Sequence, residues 1–466
     1  MMIWDTRGEL HRAGLVCAGL LLMTACGDKG VPYSVPGFDF RANYEAAPQG
    51  APVLLDNMDW WSRLKDPVLD DLVARGLQDS ISLEIARERV IAAEAARQAV
   101  PGAVTLSPSV SANLAGTDNI SARGSGTARL GLEWILDPHG ARRSAERAAD
   151  GRADVARAEL DAARLLLLFN ITRTYVNLRY AQQMVIEAQG DLVRRERTLA
   201  LTRELLDADT ATRIETSRSQ ARVAELRAQL PGQMAAVTAY LNELAVLIGN
   251  APGTLPADLT ARLTTTGAQP VPTLSPQVGI PTDLLRNRPD IRIAERTYYA
   301  AVADIGVARA DLYPRLSLSG AITLNAIGAN KGGEYFFGPV VQFPSLDRTS
   351  ERAVVAAREA SARQAHAQWR NTVLTAILEV ENALVAYDAA TRALSSAAGA
   401  SQLYGETLSL TRDVYELGDA TLGDLIDAEQ SLAQSNAALA DLHYQVALRF
   451  IDLNVRLGAG HAVEPR

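Results

Sequence analysis

The sequence predicts an α+β membrane protein made of two tandem repeats, each coupling a pair of strands to long helices packed as coiled coils. Three observations carry this expectation. Apolar residues recur at every seventh position from Ile171 to Leu206, within a proline-free run over 140–206 that is too long for a helix of a globular domain. The same stripe returns 209 residues later. Four segments alternate apolar with small or polar residues at strand period.

Composition narrows the classes first. Of 466 residues, 48% are hydrophobic and 21% charged, which excludes both a disordered chain and a polytopic helical membrane protein. A net charge of −8 leaves no electrostatic footprint for nucleic acid. Both cysteines, Cys17 and Cys26, lie at the start, so the remainder has neither a disulfide framework nor a thiolate metal site. The histidines (His11, His139, His366, His443, His461) show no ligand spacing, and no metal or cofactor is expected.

The chain opens with an address. Residues 13–23 are mostly apolar and follow Arg7 and Arg12, which is the length of a signal-peptide core and too short to span a bilayer. Met23-Thr24-Ala25-Cys26 resembles a bacterial lipobox, in which the cysteine becomes the acylated first residue. An ordinary signal peptide with an incidental cysteine is the other reading. Gly27 rather than Asp after Cys26 points, by that resemblance, to the outer membrane. The expected organisation is a signal peptide at 1–25 and a lipidated, extended tether rich in Pro, Gly and Ala at 26–56. Repeats follow at 57–265 and 266–460, with a short tail at 461–466.

The helices are read from the stripe. Ile171, Leu178, Val185, Leu192, Leu199 and Leu206 are seven apart, and Val380, Tyr387, Leu394, Ser401, Leu408 and Tyr415 repeat them with one polar break. Val223, Leu230, Val237 and Leu244 return as Leu432, Leu439, Val446 and Leu453. A strict seven-residue period implies supercoiled packing on neighbouring helices. Residues 140–206 contain no proline, and a helix of that length extends ~100 Å.

The strands are expected at 107–115, 127–136, 315–324 and 334–343, flanking Gly/Ser/Asn loops at 116–126 and 325–333. Each has the length of a tilted membrane-crossing strand. Four strands cannot close a barrel of at least eight, and lipid tolerates no open edge. If the hairpins span, other chains complete the barrel, and three copies supply twelve strands. A pair of soluble hairpins is the alternative.

Two charged motifs stand out. Arg286, Arg288, Pro289 and Asp290 read as a structural helix start, since Pro suits the first turn and Asp complements the helix dipole. In residues 418–427 (GDATLGDLID), Gly418 can end one helix with a positive φ, while Asp424 and Asp427 share one face of the next. Thr421 and Asp424 also fit a capping box.

At this point the residues resemble a family, the TolC-like outer membrane factors, in their lipoprotein branch serving RND-type multidrug efflux pumps. The matching stretches are Trp60-Trp61 with Asp66-Pro67-Val68-Leu69, residues 131–137 (GLEWILD), 279–295 (GIPTDLLRNRPDIRIAE), 311–320 (DLYPRLSLSG), 415–430 (YELGDATLGDLIDAEQ) and 453–460 (LNVRLGAG). The tip at 207–215 departs from the pattern by lacking glycine, as does Asp347 followed by Arg348-Thr349 rather than Gly-Gly.

The resemblance implies a homotrimer, with a twelve-stranded barrel in outer-membrane lipid continuous with a periplasmic α-helical barrel. It implies passive export of small molecules, driven by an inner-membrane pump joined through a periplasmic adaptor. It also places Asp424 and Asp427 in acidic rings of a closed periplasmic constriction, where crowding raises carboxyl pKa values and favours cations. Glu215, the first-repeat equivalent of Asp424, becomes a candidate tip latch. A periplasmic adaptor lipoprotein is the runner-up, but it should show one helical hairpin and a β-rich lipoyl-like region. An enzyme is not expected, since the sequence has no G-x-S-x-G, H-E-x-x-H, P-loop or dinucleotide-binding turn.

Overall fold

The computed structural model describes residues 31–41, 43–46, 59–117, 120–209, 212–272, 281–327, 330–417 and 419–460. Cys26 and Gly418 lie outside the described residues.

In chain order, a 3-10 turn at Trp60–Leu64 leads into α1 (Pro67–Asp79), α2 (Ile81–Gln98), β1 (Val104–Thr117) and β2 (Ile120–Leu136). Then come α3 (Ala141–Asp207), α4 (Arg213–Leu247) and α5 (Ala257–Thr264). The second half begins with a 3-10 turn at Pro281–Asp283 and α6 (Leu284–Asn287). It continues through α7 (Pro289–Ala310), β3 (Arg315–Ile327), β4 (Asn330–Gln342), α8 (Thr349–Glu416) and α9 (Leu422–Arg456). The repeat is visible in the lengths: α3 and α8 have 67 and 68 residues, and α4 and α9 have 35 each. Among the described residues no helix is long and apolar enough to cross a membrane.

Local chemistry fixes the helix starts. Asp66 caps α1 by accepting from the Val68 N–H, with Pro67 at the first helical position. Thr212 and Glu215 form a capping box on α4, and Thr421 and Asp424 form its counterpart on α9. Of the seven-residue stripe on α3 and α8, Ile171, Leu178, Leu199, Val380 and Leu408 are buried and the other members are half-buried.

The four strands form one antiparallel sheet in the order β1-β2-β3-β4. The central β2–β3 pairing joins the two repeats. The strands are longer than the sequence predicts, and most of the expected loops at 116–126 and 325–333 are strand. The reason is that ladder hydrogen bonds are made by the backbone, so Gly, Ser and Asn extend a paired strand despite their low propensity.

The chain divides into two compact units, and α3 and α8 contribute to both. One takes Arg89–Ala158 and Arg292–Asn371 with the segment ending at Phe38. There Val302, Ile305 and Ala362 pack with Tyr298, Val31 and Tyr33. The other unit holds the larger core, built on Trp60, Leu69, Leu72, Leu168, Ile171, Tyr175, Leu244, Ile248, Phe450 and Ile451. The described part of the expected tether has no helix or strand but is pinned within each unit. In the first, the Tyr33 hydroxyl donates to Glu295 (3.2 Å). In the second, the Glu45 and Ala46 N–H groups donate to the two Glu381 oxygens at 2.8 and 3.0 Å.

Candidate functional site

The sheet has two chemically opposite faces, because side chains alternate along each strand and the register aligns them across all four. On one face run the rows Val104–Trp134–Leu318–Pro339, Leu106–Leu132–Gly320–Phe337, Pro108–Leu130–Ile322–Tyr335 and Val110–Ala128–Leu324–Gly333. Every member is apolar or aromatic. Val110 and Tyr335 are nonetheless 84% and 86% exposed in the single chain, so this face must meet something as apolar as itself. The opposite face carries Thr105–Glu133–Ser319–Gly338, Ser109–Arg129–Thr323–Glu334 and Ser111–Thr127–Asn325–Gly332. An apolar outer band with a polar, charged inner surface is the pattern of a membrane barrel wall. Strands β1 and β4 are the sheet edges, each bonded on one side only.

The start of α9 carries the predicted gate residues. Thr421 donates to the Asp424 carboxylate through its N–H (2.9 Å) and hydroxyl (2.6 Å), and the Asp424 N–H donates back at 3.2 Å. These bonds hold the Asp424 carboxyl below its ordinary range, the hydroxyl contributing most. Any upward push from crowding must therefore come from other copies. Asp427 is exposed on the same helix face, three residues on.

Glu215 is engaged in the same way by Thr212, whose N–H and hydroxyl donate at 2.6 and 3.0 Å and lower its pKa. Across the repeats it is near enough to Tyr415 for its charge to add to the burial that raises that phenol. The hydrogen bonds of the Glu215 carboxylate stay within its own cap.

A tie between repeats that the sequence did not suggest lies further up the helices. Glu429 of α9 is 2% exposed and accepts from the Thr198 hydroxyl of α3 at 2.8 Å, with Arg412 of α8 at 3.9 Å. Burial raises its pKa, opposed by the Thr198 hydrogen bond and by Arg195 and Arg412. The spacing of residues along α9 carries its signal. Leu425, Glu429, Leu432, Asn436, Leu439, His443 and Val446 alternate at spacings of four and three, a coiled-coil seam with a polar residue at every second position. Asn436 accepts from Ser401 of α8 at 2.8 Å in the same seam. Polar seam residues fix which helices pair and in what register.

Arg288 is structural, as its position predicts. Its guanidinium holds Asp290 at 2.6 and 3.0 Å, contacts Glu379 at 2.8 Å and donates to the Arg456 carbonyl at 3.0 Å. Glu379 in turn pairs with Arg456 at 2.6 Å, so the motif joins the start of α7 to the middle of α8 and the end of α9.

A family model described as outer membrane efflux protein matches residues 73–250 and again 280–459, once in each repeat. The chain belongs to the outer membrane efflux protein family. It is 32% identical over 419 residues to nodulation protein T of Rhizobium leguminosarum bv. trifolii, covering 86% of this chain and 88% of that one. It is 28% identical over 447 residues to outer membrane protein OprJ of Pseudomonas aeruginosa, covering 92% and 91%. Among solved structures, the outer-membrane channel OprN superposes with a TM-score of 0.84 at 28% identity, over 92% of this chain and 99% of that chain. The fold is that of these channels, and the chain resides in the bacterial outer membrane and extends into the periplasm.

Proposed function

We propose that three copies of the chain form the exit duct of a tripartite efflux system, through which small molecules leave the periplasm passively. The observation that carries this reading is the two-faced sheet with two open edges. Its apolar face suits lipid and its polar face suits a water-filled lumen. Unpaired edge groups are not tolerated in hydrocarbon, so β4 of one copy must pair with β1 of the next, and three four-stranded sheets close a ring of twelve. Transport energy then comes from an inner-membrane pump joined by a periplasmic adaptor, and the duct catalyses no reaction of its own. Two relatives are named for fusaric acid resistance and pyoverdine export, which favours small organic molecules as cargo here.

In this reading the start of α9 is the periplasmic mouth. Asp424 and Asp427 from three chains form stacked carboxylate rings that narrow it and attract cations, with Glu215 at the neighbouring tip. Cys26 carries the lipid anchor.

Electron microscopy of the detergent-purified full chain tests the assembly. A threefold tube is the expected result. A monodisperse monomer, or any particle lacking threefold symmetry, refutes the proposal.

A further inference from the structure

We propose that Arg129, Phe336 and Glu334 form a recognition ring inside the barrel, one that binds small aromatic carboxylates weakly as they pass. This rests on the duct reading above. Arg129 and Glu334 lie in one register row on the polar face, separated by Thr323 and flanked by Ser109. Phe336 falls on the same face, two residues along β4 from Glu334, and the Arg129 guanidinium carbon lies 5.8 Å from its ring centroid.

The pairing is unusual for this surface. Arg315, at the other end of the same face, is bound to Asp311 at 2.6 Å, whereas Arg129 rests on a phenyl ring. With Thr323 between them, Arg129 and Glu334 stand two strand spacings apart, about 10 Å. A guanidinium held over an aromatic face keeps its fork available to a carboxylate, and the ring offers a stacking surface for a planar body. Phe336 is itself 54% exposed, in the row Ser107–Gly131–Ala321–Phe336 next to that of Arg129.

The dimensions fit. Twelve strands about 4.8 Å apart and tilted about 40° enclose roughly 24 Å between opposite backbones. Long side chains from three copies narrow that to the scale of a small aromatic molecule. The row presents one cation and one anion per chain, so its charges alternate around the ring. Glu334 thereby keeps anion retention weak, which a conducting path requires, because a tight site would plug it.

The test uses the full-length trimer in planar bilayers at ~0.1 M salt, with 1-naphthoate added from the extracellular side, where it reaches the ring without crossing the periplasmic mouth. Naphthoate should reduce the wild-type current, whereas acetate at equal concentration should not. Block should weaken about threefold in Arg129→Gln and in Phe336→Leu, and strengthen about threefold in Glu334→Gln. Equal naphthoate block in wild type, Arg129→Gln and Phe336→Leu overturns the ring, as does weakening in Glu334→Gln. Wild-type trimers that conduct no current at all overturn the duct reading itself, and the ring with it.

Discussion

The ends of α4 and α9 offer a sharp test of the repeat architecture, because each is closed by a glycine with no room for a side chain. Gly249 (φ 79°) and Gly458 (φ 76°) follow the two helices in equivalent places, each in the left-handed conformation that ends a helix with a pair of closing hydrogen bonds. A Cβ on Gly249 would stand 2.4 Å from the Asp79 carbonyl oxygen, and one on Gly458 would stand 2.6 Å from that of Asn287. Asp79 and Asn287 are the last residues of α1 and α6. In both repeats the long helical pair is thus locked against the end of the helix that opens the repeat.

Gly253 supplies the internal control. It shares the backbone geometry (φ 78°) but has nothing within 4 Å of its absent Cβ. An alanine in that conformation costs ~1 kcal/mol wherever it is placed. At Gly249 and Gly458 the overlap with backbone adds ~1–3 kcal/mol, since the neighbour is main chain and cannot rotate away. Gly253→Ala should therefore lose ~1 kcal/mol, while Gly249→Ala and Gly458→Ala should each lose ~2–4 kcal/mol. Denaturant midpoints of the purified protein, followed by circular dichroism at a common slope, measure the differences. Coincident curves for all three variants would refute the steric argument and leave only backbone strain.

Four further outcomes are expected. Asp424→Ala with Asp427→Ala should raise single-channel conductance and weaken cation preference and block by trivalent cations. Thr421→Ala, which breaks the cap but keeps both carboxylates, should leave selectivity unchanged, and a Thr421→Ala channel matching the double mutant would assign the effect to capping. Glu429 is held above its ordinary pKa by burial, so the folded state favours its neutral form. Its contribution to stability is full below the ordinary value of 4.5 and is lost as pH rises through the raised one. Glu429→Gln should gain on wild type as pH climbs from about 4.5 toward neutral, and unfolding curves that move in parallel would count against this account. Cys26→Ser should abolish metabolic labelling with palmitate, and persistent labelling would exclude Cys26 as the acylated residue.

The residue sequence alone dictated what depends on neighbours along the chain. Helix length follows from a seven-residue stripe without proline, and the first long helix, expected over 140–206, runs from Ala141 to Asp207. Strand identity follows from alternation, and the helix caps follow from Thr-x-x-Glu and Thr-x-x-Asp. Each of these properties is decided within one or two turns of backbone. Strand ends were less legible, because residues 116–126 and 325–333 are poor strand formers that pair only when a partner strand lies alongside.

Tertiary structure decided everything that joins residues distant in sequence. The register across β2 and β3 sorts each side chain onto the apolar or polar face, and a shift of one residue would have exchanged the two. Arg129 meets Phe336, 207 positions away, only because that register holds. Glu429 reaches Thr198 for a similar reason, since the choice of neighbouring helix is made by packing. A seam of leucines is compatible with several partners, and a buried carboxylate is stable only where a hydroxyl and arginines already wait. Periodicity states that a face must be covered, but the geometry of the assembled core determines by what.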